Sequence, residues 1–330
     1  MKKLSLLLLL SIAISCVNKP TEKKIETIGS IERTDPALND IIPADASIEI
    51  LSDGYDWSEG PVWVESEKML LFSDVPRNIV YKWTEKDSID IFLKPSGYTG
   101  EQNSNSPEEG SNGLGLSPDG KLILCQHGDR RLAVLDAPLN APQVNYQTLA
   151  DNYDGKRFNS PNDVAVRSNG DYFFTDPPYG MPRGVQQEIP FQGVYKVSNG
   201  AVALLVDSLT RPNGIAFMPD EKTVIIANSD RAKAKWYAYD LNENDEFVNG
   251  RVFYDATANT ASEPGLPDGL KIDKKGNVFA TGPGGVWIFN SEGKVLGRIL
   301  LPVSTANCAF DADEKTLFIT ADNYLLRVKL

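Results

Sequence analysis

Histidine is almost absent from this chain, because His127 is its only copy among 330 residues. A catalytic serine triad would have to recruit that single residue, and no G-x-S-x-G segment supplies a nucleophilic serine. The patterns C-x-x-C and H-E-x-x-H are also missing, which disfavours zinc chemistry. The sequence therefore argues against a serine hydrolase and against a zinc enzyme.

Basic residues and cysteines are also scarce. The chain has 33 Lys and Arg against 45 Asp and Glu, a formal net charge of −12, and no basic cluster beyond its first residues. A nucleic-acid partner is therefore not expected. Two of the three cysteines, Cys125 and Cys308, fall in separate apolar segments far apart in the chain. We expect both to be buried thiols rather than a disulfide.

The one long apolar run is at the N-terminus. Residues 1–16, MKKLSLLLLLSIAISC, have two lysines, a leucine-rich centre and small residues before Cys16, which is typical of a secretory signal and too short to span a membrane. The ending resembles a bacterial lipobox, so Cys16 is the predicted lipidation site of a periplasmic or cell-envelope lipoprotein. Ordinary cleavage with an incidental cysteine is the alternative. Polar residues 17–46 predict a flexible tether, and residues 47–330 the folded domain.

The sequence is rich in one thing, a repeat of about fifty residues. Six times an acidic or amide residue, here called a repeat residue, stands just before or at the start of a short apolar strand. These repeat residues, separated by 53, 50, 51, 55 and 39 positions, are Glu59, Asn112, Asn162, Asn213, Asp268 and Asn307. A turn and a second β-forming run such as LLFSD or YFFTD follow each one. Fifty residues accommodate four strands, so the repeat predicts an all-β, six-bladed β-propeller.

The last repeat is too short to complete its blade. Only 23 residues follow Asn307, enough for three strands, whereas the segment 47–53, SIEILSD, is a predicted strand that precedes the first repeat. We expect this N-terminal strand to close the last blade and so remove an exposed sheet edge.

The repeat residues also predict a metal site. Equivalent positions in a radial array point at the same axis, so the six side chains should surround one mouth of the central channel. Carboxylate and amide oxygens, without Cys or His, are the ligands of a hard divalent cation, Ca2+ before Mg2+. The alternative is that Asn and Asp only cap the turns that enter the inner strands.

Loops that follow the second strands should reach the same mouth, and one of them, QHGDRR, contains His127. Because histidine titrates near neutral pH, His127 is a candidate acid, base or substrate hydrogen-bond donor. It could instead stabilise a turn by pairing with Asp129 or a neighbouring strand. Polar loop residues, including Asn103, Asn105, Asn112 and Arg130, favour a hydroxylated substrate.

Six segments together resemble the SMP-30/gluconolactonase family of calcium-dependent lactonases: EGPVW, NSPNDV, TDPPYG, RPNGIAF, PDGLKID and TGPGGVW. The likeness runs in the right order across nearly the whole domain. It implies a divalent ion held by Glu59, Asn213 and Asp268, with Asn162 completing the metal shell or contacting substrate. It also suggests Arg157 as a substrate-binding residue, although the spacing differs from that of animal members. Asn112 and His127 are further candidate substrate-binding residues.

The resemblance implies a Ca2+ ion that polarises a lactone carbonyl and orients a water molecule, with Mg2+, Zn2+ or Mn2+ as possible substitutes. Asp268 is the candidate catalytic residue, either as a ligand only or also as an acceptor of a proton from the water. The leading hypothesis is hydrolysis of a sugar lactone, such as a gluconolactone, to the aldonic acid. The alternatives are hydrolysis of organophosphate-type esters on the same metal, or a surface-anchored binding propeller without turnover. Nothing in the pattern indicates an oligomeric state.

Overall fold

Six antiparallel sheets follow one another along the chain in the computed structural model, which describes residues 25–330. They form the predicted six-bladed β-propeller. The predicted signal peptide 1–16, the lipidation site Cys16 and residues 17–24 of the predicted tether lie outside the described residues. No helix among residues 25–330 is both long and apolar enough to cross a membrane.

Two strands precede the blades, β1 (Ser30–Arg33) and β2 (Ile48–Asp53). Blade 1 comprises β3 (Ser58–Val64), β4 (Met69–Asp74), β5 (Ile79–Thr84) and β6 (Ser88–Leu93). Blade 2 comprises β7 (Ser111–Leu116), β8 (Leu122–Gln126), β9 (Arg131–Leu135) and β10 (Tyr146–Ala150). A two-stranded hairpin, β11 (Asn152–Tyr153) and β12 (Lys156–Arg157), follows it.

Blade 3 comprises β13 (Val164–Val166), β14 (Tyr172–Asp176), β15 (Gly193–Ser198) and β16 (Ala201–Val206). Blade 4 comprises β17 (Pro212–Phe217), β18 (Thr223–Asp230), β19 (Lys233–Leu241) and β20 (Phe247–Asp255). Blade 5 contains β21 (Leu270–Ile272), β22 (Val278–Gly282), β23 (Gly285–Phe289) and β24 (Val295–Leu300). Blade 6 contains β25 (Asn307–Phe310), β26 (Thr316–Ala321) and β27 (Tyr324–Lys329). Short 3-10 helices occupy Pro36–Asp40, Glu65–Glu67 and Thr257–Ala261.

The core lies between neighbouring blades. The second strand of a blade is covered on both faces by the blades beside it, so every residue of β4, β8, β22 and β26 is buried. Apolar clusters join one blade to the next, as where Trp236 of blade 4 packs with Phe289 of blade 5. This two-sided burial explains why the second strands are continuous apolar runs rather than alternating ones. Cys125 and Cys308 lie in this core as free thiols, as predicted.

The N-terminal strand β2 closes the ring, as predicted. It pairs antiparallel with β27, with Ile48 opposite Val328 and Glu49 opposite Arg327. Arg327 and Glu49 form an ion pair across this seam. The first and last parts of the domain are therefore held in one sheet, and blade 6 has four strands.

The structure differs from the sequence expectation for residues 25–46, which were assigned to the flexible tether. Strand β1 adds a fifth strand to blade 5 by pairing with β24. Leu38 and Ile42 are completely buried in the core between blades 5 and 6, and Glu32 forms an ion pair with Arg298 at 2.7 Å. Charged neighbours separate these few apolar residues, so no strand periodicity indicated them, and the fold begins before the predicted boundary at residue 47.

Candidate active site

The starts of the inner strands converge on one pocket at the end of the central channel. Five of the six repeat residues line this cavity of about 270 Å³, namely Glu59, Asn112, Asn162, Asn213 and Asp268. The sixth, Asn307, is buried and donates a hydrogen bond from Nδ2 to Oε2 of Glu59 over 3.3 Å. The structure thus brings the four candidate ligands together with Asn112.

The glycine after a repeat residue explains how these side chains come so close. A Cβ atom on Gly60 would lie 2.0 Å from the backbone oxygen of Asn112, and one on Gly214 would lie 2.2 Å from that of Asp268. Adjacent inner strands also hydrogen-bond directly, as from Gly113 N to Asn162 O over 2.7 Å. The E-G, N-G and D-G pairs of the sequence therefore mark the points where neighbouring blades touch around the axis.

Local irregularities in the inner strands direct the side chains of the repeat residues into the pocket. The pairing register shifts immediately after Glu59 in β3, after Ser111 in β7 and after Pro212 in β17. Gly60 adopts φ +52°, a left-handed conformation that glycine allows without strain. Such bulges turn a side chain away from the regular alternation of a strand. They place the repeat residues in the pocket while the following residues enter the core.

The pocket carries a concentration of buried negative charge. Burial raises the pKa of Glu59 to about 8, and the nearby Asp163 carboxylate acts in the same direction. Burial and the charge of Glu59 raise the pKa of Asp268 well above its usual value. Asp163, 2% exposed, is also shifted upward in pKa by burial, although Lys271 opposes this shift. The positive charge near these carboxylates is too small to balance their negative charge.

Within residues 25–330, two oxygen atoms of the candidate ligands have no protein partner. Asn162 Oδ1 and Asp268 Oδ1 are both buried and accept no hydrogen bond. An unsatisfied buried oxygen is costly, and an unsatisfied buried carboxylate more so. A divalent cation held by Glu59, Asn162, Asn213 and Asp268 would satisfy both atoms and offset the carboxylate charge. The oxygen-only donor set therefore fits a hard cation such as Ca2+.

This set depends on amide ligands as well as carboxylates. Across residues 25–330 there is no group of three or more His, Cys, Asp or Glu side chains arranged to hold a metal ion. The candidate set has only two carboxylates, Glu59 and Asp268, so Asn162 and Asn213 are needed to complete it. Soft metals that require thiolate or imidazole ligands do not fit here.

His127 does not line the pocket, contrary to the candidate role predicted from its loop. The side chain is completely buried, and its Nδ1 lies 3.6 Å from Oε2 of Glu108, which does line the pocket. Burial lowers the pKa of His127 to about 3, so the imidazole is neutral at physiological pH. The alternative pairing with Asp129 is not formed, because that carboxylate binds Thr99 and Arg131.

Arg157 is also outside the pocket, so the structure does not support its candidate role in substrate binding. It lies exposed in the hairpin β11–β12, where its Nη2 donates to the backbone oxygen of Asp129 over 2.7 Å. That hairpin forms a separate two-stranded sheet beside β16, which the sequence did not indicate. Arg130 is buried and donates from Nε to Phe158 O over 2.7 Å.

Two other arginines line the pocket, both from blade 4. Arg211 stands two residues before Asn213 on the same inner strand approach, and its guanidinium lies over the Tyr179 ring, 5.6 Å from the centroid. Arg231 is in the turn between β18 and β19 and donates from Nη1 to Thr260 O over 2.6 Å. Exposed guanidinium groups and a phenol on one wall can bind hydroxyl or carboxylate oxygens.

Sequence reasoning missed several pocket residues. Tyr179 belongs to TDPPYG and Arg231 to NSDRA, two loops that follow second strands and are therefore expected at this mouth of the channel. Arg211 belongs to the RPNGIAF segment. These three could have been found from their positions. Glu108 comes from the long insertion between blades 1 and 2, whose length favours a position at the rim of the pocket without singling out this carboxyl.

Known proteins resemble this chain along most of its length. The family model described as SMP-30/Gluconolactonase/LRE-like region matches residues 57–323. A gluconolactonase of Zymomonas mobilis subsp. mobilis is 40% identical over 314 residues, which covers 92% of this chain and 86% of the relative. The structure of a gluconolactonase from Xanthomonas campestris matches with a TM-score of 0.80 and 29% identity, covering 92% of this chain and 97% of that one.

A more distant structural neighbour has the same fold. It is the calcium-binding protein regucalcin from Agrobacterium tumefaciens, with a TM-score of 0.66, 17% identity and coverage of 85% of this chain and 94% of the other. At this identity the likeness shows the fold alone.

Proposed function

Because the chain belongs to the SMP-30/gluconolactonase/LRE-like family and is a lactonase, we propose that it hydrolyses a sugar lactone of the gluconolactone type to the aldonic acid, with a divalent cation in the pocket. One observation carries the proposal. Glu59, Asn162, Asn213 and Asp268 come from four different blades and line a single pocket, in which two of their oxygen atoms have no protein partner. A scaffold propeller has no need of such an arrangement.

Glu59, Asn162, Asn213 and Asp268 are the residues that would hold the cation, and Ca2+ is the ion that suits them best. When bound, it supplies Lewis-acid polarisation of the lactone carbonyl and orients water. Asp268 would act as a ligand and, secondarily, would accept a proton from the attacking water. In the reaction the water oxygen bonds to the carbonyl carbon and the ring carbon–oxygen bond breaks.

The remaining pocket residues position the sugar. Tyr179, Ser229 and Arg211 line the same pocket, and the Arg211 guanidinium lies over the Tyr179 ring. Donors of this kind match the hydroxyl groups of an aldonolactone. Asn112 also lines the pocket and offers a further amide to the substrate. These groups restrict how the lactone ring lies relative to Asp268.

A substrate panel tests the proposal. Purified protein supplied with Ca2+ is offered gluconolactone, a pentonolactone, a simple unsubstituted lactone and an organophosphate triester, and acid release is followed with a pH indicator. We expect sugar lactones to have the highest kcat/KM. Preference for the triester would favour the organophosphate alternative, and absence of hydrolysis with every substrate and metal would favour a binding propeller.

We also propose that the protein is exported and held at the cell envelope by a lipid on Cys16. The support is the lysine, leucine and small-residue pattern of residues 1–16. Labelling of cells with a fatty-acid analogue should mark the wild-type protein in the membrane fraction, while Cys16→Ser should be unlabelled. Labelling that persists in the variant would contradict the assignment.

A further inference from the structure

A carboxyl group and an imidazole form a pair beside the candidate cation site. Glu108 comes from the segment 97–110 between blades 1 and 2 and lines the pocket, and His127 directly follows β8. His127 Nδ1 lies 3.6 Å from Glu108 Oε2. The imidazole is completely buried, whereas 33% of the Glu108 side chain is exposed. The carboxyl therefore faces the pocket, and the imidazole lies behind it.

Contacts from three chain segments hold this pair in place. The His127 backbone N donates to Gly110 O over 3.1 Å, and the Glu108 backbone N donates to Ser106 Oγ over 3.1 Å. Ser106 Oγ donates in turn to Gly180 O over 2.9 Å. A Cβ on Gly180 would lie only 2.2 Å from the Cβ of His127, so glycine is required there for the loop to cover the imidazole. The pair is thus built into the pocket wall.

The pair has no evident structural purpose. Within residues 25–330 neither ring nitrogen of His127 has a partner within strict hydrogen-bond geometry, although both are buried, and the backbone of Glu108 is the polar group that interacts with the ring. The separation from Glu108 is just beyond hydrogen-bond distance, as is common for catalytic groups in the absence of substrate. Leaving a polar ring unsatisfied in the core costs free energy that an apolar side chain would not. Such groups beside a pocket are candidates for a role in its chemistry.

Lactone hydrolysis needs a second proton-transferring group. Attack by water breaks the bond between the carbonyl carbon and the ring oxygen, and the departing oxygen of an aliphatic alcohol requires a proton. Asp268 belongs to the cation site and to the water side of the reaction, so it is not free to supply this proton. Glu59 is likewise assigned to the cation site, which leaves Glu108 as the carboxyl of the pocket lining that is not a candidate ligand.

We propose that Glu108 is the general acid that protonates the ring oxygen as the lactone opens, with His127 as the positioning residue behind it. This inference rests on the proposed lactone hydrolysis. The proton passes from the Glu108 carboxyl to the ring oxygen, which becomes the hydroxyl group of the product acid. The attacking water releases a proton that restores Glu108, so lactone and water give the hydroxy acid with no other reactant.

The surroundings of Glu108 keep it protonated more readily than an ordinary glutamate. Burial raises its pKa above the usual value. His127, with a pKa lowered to about 3, stays neutral and provides no positive charge to hold a carboxylate. Burial beside a neutral imidazole therefore favours the acid form that donates a proton.

The decisive experiment varies the leaving group. Wild type and Glu108→Gln are compared on gluconolactone, whose leaving group is an aliphatic alcohol, and on dihydrocoumarin, whose phenolic leaving group departs without protonation. We expect Glu108→Gln to lower kcat about 100-fold on gluconolactone and only about threefold on dihydrocoumarin, with KM little changed. Glu108→Asp should regain part of the lost rate on gluconolactone.

Glu109→Gln is the matched control, because this adjacent carboxylate binds Ser104 and does not line the pocket. It should behave as wild type on both lactones. Equal loss on both substrates in Glu108→Gln, or no loss on either, would overturn the inference. Failure of the wild type on gluconolactone would overturn the proposed function itself.

A second readout applies if dihydrocoumarin is not hydrolysed. The kcat of the wild type on gluconolactone should fall at alkaline pH as Glu108 loses its proton, and this fall should be missing from the residual rate of Glu108→Gln. An alkaline limb retained in the variant would overturn the assignment. For the positioning role, His127→Gln should lower kcat with unchanged KM, and a change in KM alone would contradict it.

Discussion

Asn307 donates a hydrogen bond to Glu59 across the seam between the last blade and the first, over 3.3 Å. The same amide accepts at Oδ1 from Lys271 Nζ over 3.2 Å and from the Cys308 backbone N over 2.9 Å. One side chain therefore connects the inner strands of blades 5, 6 and 1 at the axis. It orients a candidate ligand and at the same time closes the ring.

Removing this connection should destabilise the protein. Asn307→Ala leaves Lys271 and Glu59 without their buried partner, so we expect the free energy of unfolding to fall by about 1 to 3 kcal/mol. Urea unfolding followed by tryptophan fluorescence measures it. Asn152→Ala, at an exposed position of the outer hairpin, should change stability by less than about 0.5 kcal/mol. Equal effects of the two variants would show that the seam contact is unimportant.

Asp268→Asn should separate catalysis from folding. The substitution removes a buried charge that Glu59 and Asp163 repel, so the unfolding free energy in the presence of chelator should stay the same or rise. Turnover of gluconolactone should fall about 100-fold or more, because the carboxylate ligand and proton acceptor is lost. Comparable losses of turnover and stability would remove the catalytic assignment.

Metal removal should abolish hydrolysis, and Ca2+ should restore it. Because the proposed cation site exists only in the assembled ring, Ca2+ at 100 times its Kd should also raise the unfolding free energy by about 2.7 kcal/mol. Activity and thermal denaturation are measured after chelation and during titration with Ca2+. In Glu59→Gln the Ca2+-dependent rise in Tm should be much reduced. An undiminished rise in this variant would mean that the stabilising ion binds elsewhere.

Two arginines provide a matched comparison. Arg211 lines the pocket in the structure, whereas Arg157 is the substrate-binding candidate suggested by the sequence. Arg211→Gln removes an exposed guanidinium from the pocket wall, so KM for a sugar lactone should rise about tenfold, equivalent to about 1.4 kcal/mol. Arg157→Gln should leave kcat and KM unchanged, because this side chain lies on the outer hairpin. A large effect of Arg157→Gln with none from Arg211→Gln would reverse the assignment.

The segment before residue 47 should contribute to stability. Leu38 is completely buried between blades 5 and 6, so Leu38→Ala should lower the unfolding free energy by about 2 to 5 kcal/mol. Ile25→Ala, with Ile25 51% exposed, should have little effect. Urea unfolding of both variants tests this, and a neutral Leu38→Ala would support the original interpretation of a flexible tether.

Six blades, the closing strand β2 and the inner-strand positions of Glu59 and Asp268 were all accessible from the sequence alone. They depend on local patterns, since apolar alternation, turn residues and a repeat period follow directly from what each strand must bury. The glycine that follows most repeat residues was equally visible, although only the structure shows the close approach that requires it.

Tertiary structure alone decided which polar groups meet at the pocket. His127 lies behind the pocket wall because residues near Gly180 and Gly110 cover it, and Arg157 is carried away by a hairpin with no periodic signal. Glu108 reaches the pocket through an insertion whose path depends on contacts with two other blades. Strand β1 belongs to blade 5 because it pairs with β24, which lies almost 270 positions later in the chain, and a few separated apolar residues near it pack on that blade. Such long-range packing leaves no local pattern in the sequence.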